Sequence, residues 1–166
     1  GWTYAKFLLA NERVLVSELG RSTRELGLLK RLSGEISRGG RLLREDPQFA
    51  RRIAELELRL HVLRSTCYRA ILQVMRGTDP GAAPSLMKLR GSELQQDIAE
   101  ALVDAVGLAG IVFDPAAVRG AGTPSPIGAV EAPGILRDHL YGRATTIFGG
   151  SNEIQRNIIA KSALGL

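Results

Sequence analysis

Near the C-terminal end of the sequence, Gly149, Gly150 and Ser151 have the types and order of a ligand-facing turn. Glycine reaches backbone conformations closed to other residues and lets a ligand approach the main chain. Ser151, with Ile154 three residues later, suits a helix start. Exposed N–H groups at such a start favour an anion. A Gly-Gly turn that only joins two helices accounts for the same residues. At the other end of the chain a carboxylate stands in Leu9-Ala10-Asn11-Glu12-Arg13. An acid there interacts favourably with the dipole of a helix start. His61 and His139 form no metal or triad spacing, and each reads as a surface or satisfied helical histidine. Cys67, the single cysteine, excludes an internal disulfide, and its apolar helical stripe points to a small buried residue rather than a nucleophile.

The elements that must position these groups read as long helices separated by two Gly/Pro-rich connections. A first helical region is expected from about Thr3 to Ile36, with Phe7, Leu8, Val14, Leu15, Leu19, Leu26, Leu29 and Leu32 as its apolar positions. Gly20 and Gly27 interrupt it. Seven residues apart, they share a side where a helix or ligand could come close, or they simply weaken the helix by roughly 1 kcal/mol each. The second helix is clearest: Asp46 caps it and Pro47 suits its first turn. Phe49, Ile53, Leu56, Leu60, Leu63, Cys67, Ile71 and Val74 then recur at three- and four-residue steps, a stripe that must face a core. A third helix follows from about Ser85 to Val106, with Leu86, Leu89, Leu94, Ile98, Leu102 and Val106 as contacts. Gly107 to Pro133 reads as a loop with at most a short turn near Pro115 to Val118. A fourth helix is expected from Pro133 to about Ile147, and a short last one over Asn152 to Ala163. There is no internal repeat and no convincing alternating strand. The fold class is all-α, a four-helix up-down bundle with a short additional C-terminal helix.

With 166 residues, the chain has one domain's worth of sequence. Its formal net charge of +5 is dispersed among acids, with no basic block longer than Arg51-Arg52 and no interleaved aromatics. Solvated helix faces explain this better than nucleic-acid binding, although a basic balance also suits an anionic ligand. No stretch has the length and apolarity of a transmembrane helix, no signal peptide is visible, and a soluble cytoplasmic protein is the default expectation. No metal site is expected. Trp2, Tyr4, Tyr68 and Tyr141 read as packing or interface residues.

The run from Thr146 through Ile147, Phe148, Gly149, Gly150, Ser151, Asn152, Glu153, Ile154, Gln155 and Arg156 to Leu164-Gly165-Leu166 resembles the closing segment of the acyl-CoA dehydrogenase family. In that family an x-Gly-Thr-x-x-Ile-Gln-Arg turn lies against the flavin and the thioester. The resemblance covers the C-terminal helical domain, so residues 1–166 are expected to form that single domain. It also implies that the N-terminal helical and β domains are absent from this piece, whose first residue is Gly1, and that the piece alone is inactive. It further implies FAD as cofactor, an acyl-CoA as substrate and electron-transferring flavoprotein as electron acceptor. Homo- or hetero-oligomers with similar chains are its expected assemblies, with no nucleic acid and no membrane insertion.

Such an enzyme needs a carboxylate to remove the α-proton. In many members it immediately precedes the Gly-Thr pair, where this chain has Gly149. A branch similar to isovaleryl- and long-chain-type enzymes carries the glutamate early in the first helix instead, in a Leu-x-x-Glu-Arg context matched by Leu9 to Arg13. The resemblance therefore makes Glu12 the candidate base, with Arg13 beside it on the substrate side. Burial near flavin and acyl chain would raise a carboxyl pKa toward working pH. By the same resemblance, the Gly149 N–H donates to the thioester carbonyl, Gly150 lies by the substrate, and Ser151 and Glu153 contact flavin. Gln155 and Arg156 complete the motif, and helix packing explains them at least as well as ligand contact. The family's Arg-x-x-Phe-Gly and Phe-Gly-Gly-x-Gly elements, which hold the neighbouring subunit's flavin, are not reproduced in Arg38-Gly-Gly-Arg-Leu-Leu43 or Gly107-Leu-Ala-Gly-Ile111.

Overall fold

A computed structural model describes residues 18–111, 115 and 131–166. Helix α1, Leu19–Ser33, buries Leu26, Leu29 and Leu32 together with Ser22, Glu25 and Ser33, one face of a 3.6-residue period. It is preceded by Glu18, whose left-handed backbone (φ 42°) sets it outside the helix; residues 3–17 of the expected helical region lie outside the described residues. The Gln95 amide donates to the Glu18 carboxylate at 2.7 Å. Among the described residues nothing packs closely on Gly20 or Gly27: both are exposed, and an added Cβ would meet nothing within 4 Å.

Two short strands follow, β1 (Ser37–Arg38) and β2 (Arg41–Leu42), paired antiparallel with Ser37 opposite Leu42. The sequence reading has no strand here. Gly39 and Gly40 form the two-residue connection with φ of 60° and 81°, and positive φ at both central residues is what a tight hairpin turn demands.

Helix α2, Pro47–Met75, begins as the sequence predicts: Asp46 Oδ1 accepts from the N–H groups of Gln48 (2.8 Å) and Phe49 (3.1 Å). It buries Ile53, Leu56, Leu60, Leu63, Cys67 and Ala70. The stripe leaves the core there. Ile71 and Val74 are exposed, contrary to expectation, because a helix of 29 residues outruns its described neighbour α1, which has 15. Leu86, also expected in the core, is exposed.

Helix α3, Ala83–Val106, is the central element and packs against α1, α2, α4 (Ala132–Gly142) and α5 (Asn152–Ile159). Its buried set includes Met87, Lys88, Leu94, Ile98, Ala101, Leu102 and Ala105, and small side chains at several of these positions let neighbours pack on more than one side. Helix α4 ends at Gly142 rather than near Ile147, since Arg143–Thr146 tighten into a 3₁₀ turn. Helix α5 passes into a π turn, Ala160–Leu164, and ends on Gly165 with φ 70°. The all-α bundle with a short C-terminal helix is as expected. Among the described residues, no helix is long and apolar enough to cross a membrane.

Candidate functional site

The turn between α4 and α5 is built from both sides by α3. Before it, the Gln96 amide donates to the carbonyls of Gly142 (3.1 Å) and Arg143 (3.2 Å), and the buried Thr145 hydroxyl donates to Gly142 O at 2.7 Å. Gly149 and Gly150 then take φ of 68° and 92° and are exposed. Ser151 is extended and caps α5, its Oγ accepting from the Ile154 N–H at 3.4 Å. Helix start and positive glycine φ are therefore as read from sequence.

Gln155 lies beneath this turn and is fully buried, its Nε2 3.4 Å from the carbonyl oxygens of both Gly149 and Gly150. It packs the turn from inside rather than facing a ligand. A Cβ on Gly150 would sit 2.7 Å from Gln155 Nε2. Left-handed backbone and lack of space act together, so Gly150→Ala is expected to destabilise the domain by about 1–3 kcal/mol. A lowered denaturant midpoint with unchanged m-value would register this, and an unchanged midpoint would contradict it.

Asn152, the first residue of α5, is buried, and its Oδ1 accepts from Lys88 Nζ at 2.8 Å with Ser92 Oγ 3.1 Å away. Lys88 has no exposed surface. Burial pushes its pKa down, and the Glu153 carboxylate acts against that shift. Glu153 itself is exposed. Its own backbone N–H and the Ser151 hydroxyl hold its carboxyl below the usual range, with Arg156 and Lys88 adding to the effect. Arg156 reaches back to Glu93 on α3 at 2.7 Å, so its charge is engaged within the chain. Ile147, Phe148 and Ile154 leave exposed apolar surface beside the turn.

Sequence reasoning missed Lys88, Ser92, Asn152 and Gln96. Ser85, Lys88, Ser92, Gln95 and Ala99 follow three- and four-residue steps, a stripe of small and polar residues on the buried side of α3. A lysine within such a stripe was the available signal. Glu12 and Arg13 lie outside the described residues. His61 is exposed, while His139 is half-buried with its Nδ1 unpartnered. Among the described residues no cluster of His, Cys, Asp and Glu could hold a metal.

A second feature joins the hairpin to the end of α3. Arg38, Phe49, Arg52, Asp104, Gly107 and Ile111 line an open cleft of about 760 Å³. Arg38 Nη2 donates to the Asp104 carbonyl at 2.7 Å, and Arg52 pairs with the Asp104 carboxylate. The structure thus brings together the two segments that depart from the expected flavin-holding elements. Both arginines are already engaged by their own chain.

Residues 1–164 match the family model described as acyl-CoA dehydrogenase, C-terminal domain. The whole chain is 32% identical over 166 residues to acyl-CoA dehydrogenase IpdE1 of Mycolicibacterium smegmatis, covering 37% of that protein. Among solved structures it resembles the FAD complex of PigA, at TM-score 0.71 and 25% identity over 89% of this chain and 34% of the other. It also shares its fold with the Tcur3481-Tcur3483 steroid ACAD G363A variant, at TM-score 0.79 and 24% identity over 100% of this chain and 40% of that one. The chain therefore spans well under half the length of these relatives.

Proposed function

Because this chain belongs to the acyl-CoA dehydrogenase family, as its C-terminal domain, we propose that its parent oxidises an acyl-CoA thioester to the trans-2-enoyl-CoA. The observation that carries the reading is the Gly149–Ser151 turn, held open by positive glycine φ at the start of α5 and exposed on its outer side. Its residues fit a flavin edge and a thioester. Two glycines leave the main chain accessible, Ser151 offers a hydroxyl, and the exposed apolar Phe148 stands beside them. Bound FAD would supply the acceptor for hydride from the β-carbon, with electron-transferring flavoprotein the onward acceptor.

The chain's own residues take distinct roles in this reading. Glu12 removes the α-proton, and Arg13 orients the substrate side. The Gly149 N–H donates to the thioester carbonyl and stabilises the negative charge that grows there as the proton leaves. Gly150 lets the thioester approach, while Ser151 and Glu153 contact the cofactor. A main-chain donor survives the absence of a side chain at Gly149, which is why the turn keeps a function after losing the usual carboxylate.

A second reading, a non-catalytic oligomerisation chain, is favoured by one specific observation: Arg38, in a segment where flavin contacts are expected, is bound to the end of α3 within the chain. Both readings meet in a mixed assembly, in which this chain keeps its base and a related chain completes the flavin site. Half the sites would then hold FAD. The full-length parent, expressed alone and with candidate partner chains, is expected to reduce flavin with acyl-CoAs only in the mixed complex, at about one FAD per chain pair. Mass, flavin counting and a substrate panel including steroid-side-chain thioesters measure this. Full FAD occupancy and turnover in a single-chain oligomer would remove the need for a partner, and no flavin reduction in any assembly would refute the enzymatic reading.

A further inference from the structure

Lys88 is a fully buried cation whose hydrogen bond goes to a neutral amide, Asn152 Oδ1, at 2.8 Å. Burying an ammonium is costly, and an apolar side chain of similar length would fill such a space without that cost. The location of the acceptor is therefore informative. Asn152 directly follows the capping Ser151 and lies two residues beyond Gly150, so the ammonium grips the start of α5 from behind. Ser92 Oγ, 3.1 Å from the same oxygen, narrows the amide's freedom further. Glu153, the next residue, opposes the buried charge from the solvent side, its side chain 75% exposed. Helix α3 thus holds the turn at Gln96 on one flank and at Lys88 on the other.

We propose, resting on the function above, that Lys88 acts through Asn152 as the positioning residue of the Gly149–Ser151 turn and gives its main-chain N–H groups a positive bias. The dipole of α5 has the same sign at this end. In a desolvated interior a charge is screened less than in water and acts over a longer reach. An oxygen that becomes anionic against the turn meets donors that are both fixed in place and backed by a cation.

The test uses the full-length chain, with its partner if one is required. Lys88→Met removes donor and charge while keeping length. Its unfolding midpoint is expected to stay near that of the parent, because loss of the buried charge offsets the acceptor left on Asn152. Amide hydrogen exchange over residues 149–154 should nevertheless accelerate about tenfold or more, as fits loss of a charged hydrogen bond. The rate of flavin reduction at saturating acyl-CoA should fall about tenfold or more with little change in KM. Asn152→Asp separates the two parts, since it keeps the brace and neutralises the bias: exchange should stay as in the parent while the reduction rate falls.

Unchanged exchange in Lys88→Met would overturn the positioning role, and a parent-like rate in Asn152→Asp would overturn the bias. Should Lys88→Met not fold, Asn152→Ala, which removes the acceptor, supplies the exchange measurement, and unchanged exchange there likewise overturns the positioning role. The exchange measurement needs neither flavin nor turnover. A parent inactive with every acyl-CoA would sink the enzymatic reading and leave the brace to be judged by exchange.

Discussion

On the proposed function, Glu12→Gln in the full-length parent, in the assembly that reduces flavin, is expected to leave fold and FAD content intact while slowing flavin reduction by about 10²–10⁴-fold, the range for loss of a general base, or more if no other group takes the proton. Gly149 is the reason. That position carries the base in many relatives, and here it carries no side chain able to accept a proton. In the proposed function the turn's main-chain donor stabilises charge on the carbonyl oxygen but cannot remove a proton from carbon. A separate carboxylate is required, and Glu12 stands in the sequence context where a branch of the family places it. Glutamine keeps the size and polarity of the side chain and removes its basicity. The loss should therefore fall on kcat more than on KM. Stopped-flow flavin reduction under saturating substrate makes the measurement, and a rate near that of the parent would assign the base elsewhere.

The second large effect is loss of function in the isolated chain. Residues 1–166 alone should be helical by circular dichroism yet retain no stoichiometric FAD and show no turnover. The proposed site is expected to need residues beyond these, since the chain covers 37% of the length of its relative IpdE1. The isolated chain should also self-associate. Leu58, Val62 and Leu86 are exposed around an apolar cleft of about 380 Å³ between α2 and α3, and Leu72 and Met75 extend the exposed apolar surface along α2. Contiguous apolar surface of this kind marks an association face. Light scattering and flavin absorbance decide both points. A monomeric fragment carrying one yellow flavin per chain and turning over acyl-CoA would show that the missing walls are dispensable.

Much of this molecule follows from local rules legible along the chain. Asp46 and Pro47 mark the start of α2 because an N-terminal cap and a residue without an N–H satisfy the same unpaired end of the helix. The stripe from Ile53 to Cys67 is buried because its spacing puts those residues on one face. Gly149, Gly150 and Ser151 identify their turn because positive φ and helix capping depend only on neighbouring atoms. Periodicity says which side chains share a face, but not how far the opposing element extends. For that reason Ile71, Val74 and Leu86 left the core, and Gly20 and Gly27 faced no neighbour among the described residues. The hairpin at Gly39-Gly40 leaves no alternating pattern in the sequence because its strands have only two residues each. The tertiary structure alone decided the roles of Lys88 and Gln96. Their partners lie 64 and 46 residues away in the chain, and a polar side chain inside a helix becomes a brace only when packing delivers an acceptor and removes the water that would otherwise compete for it.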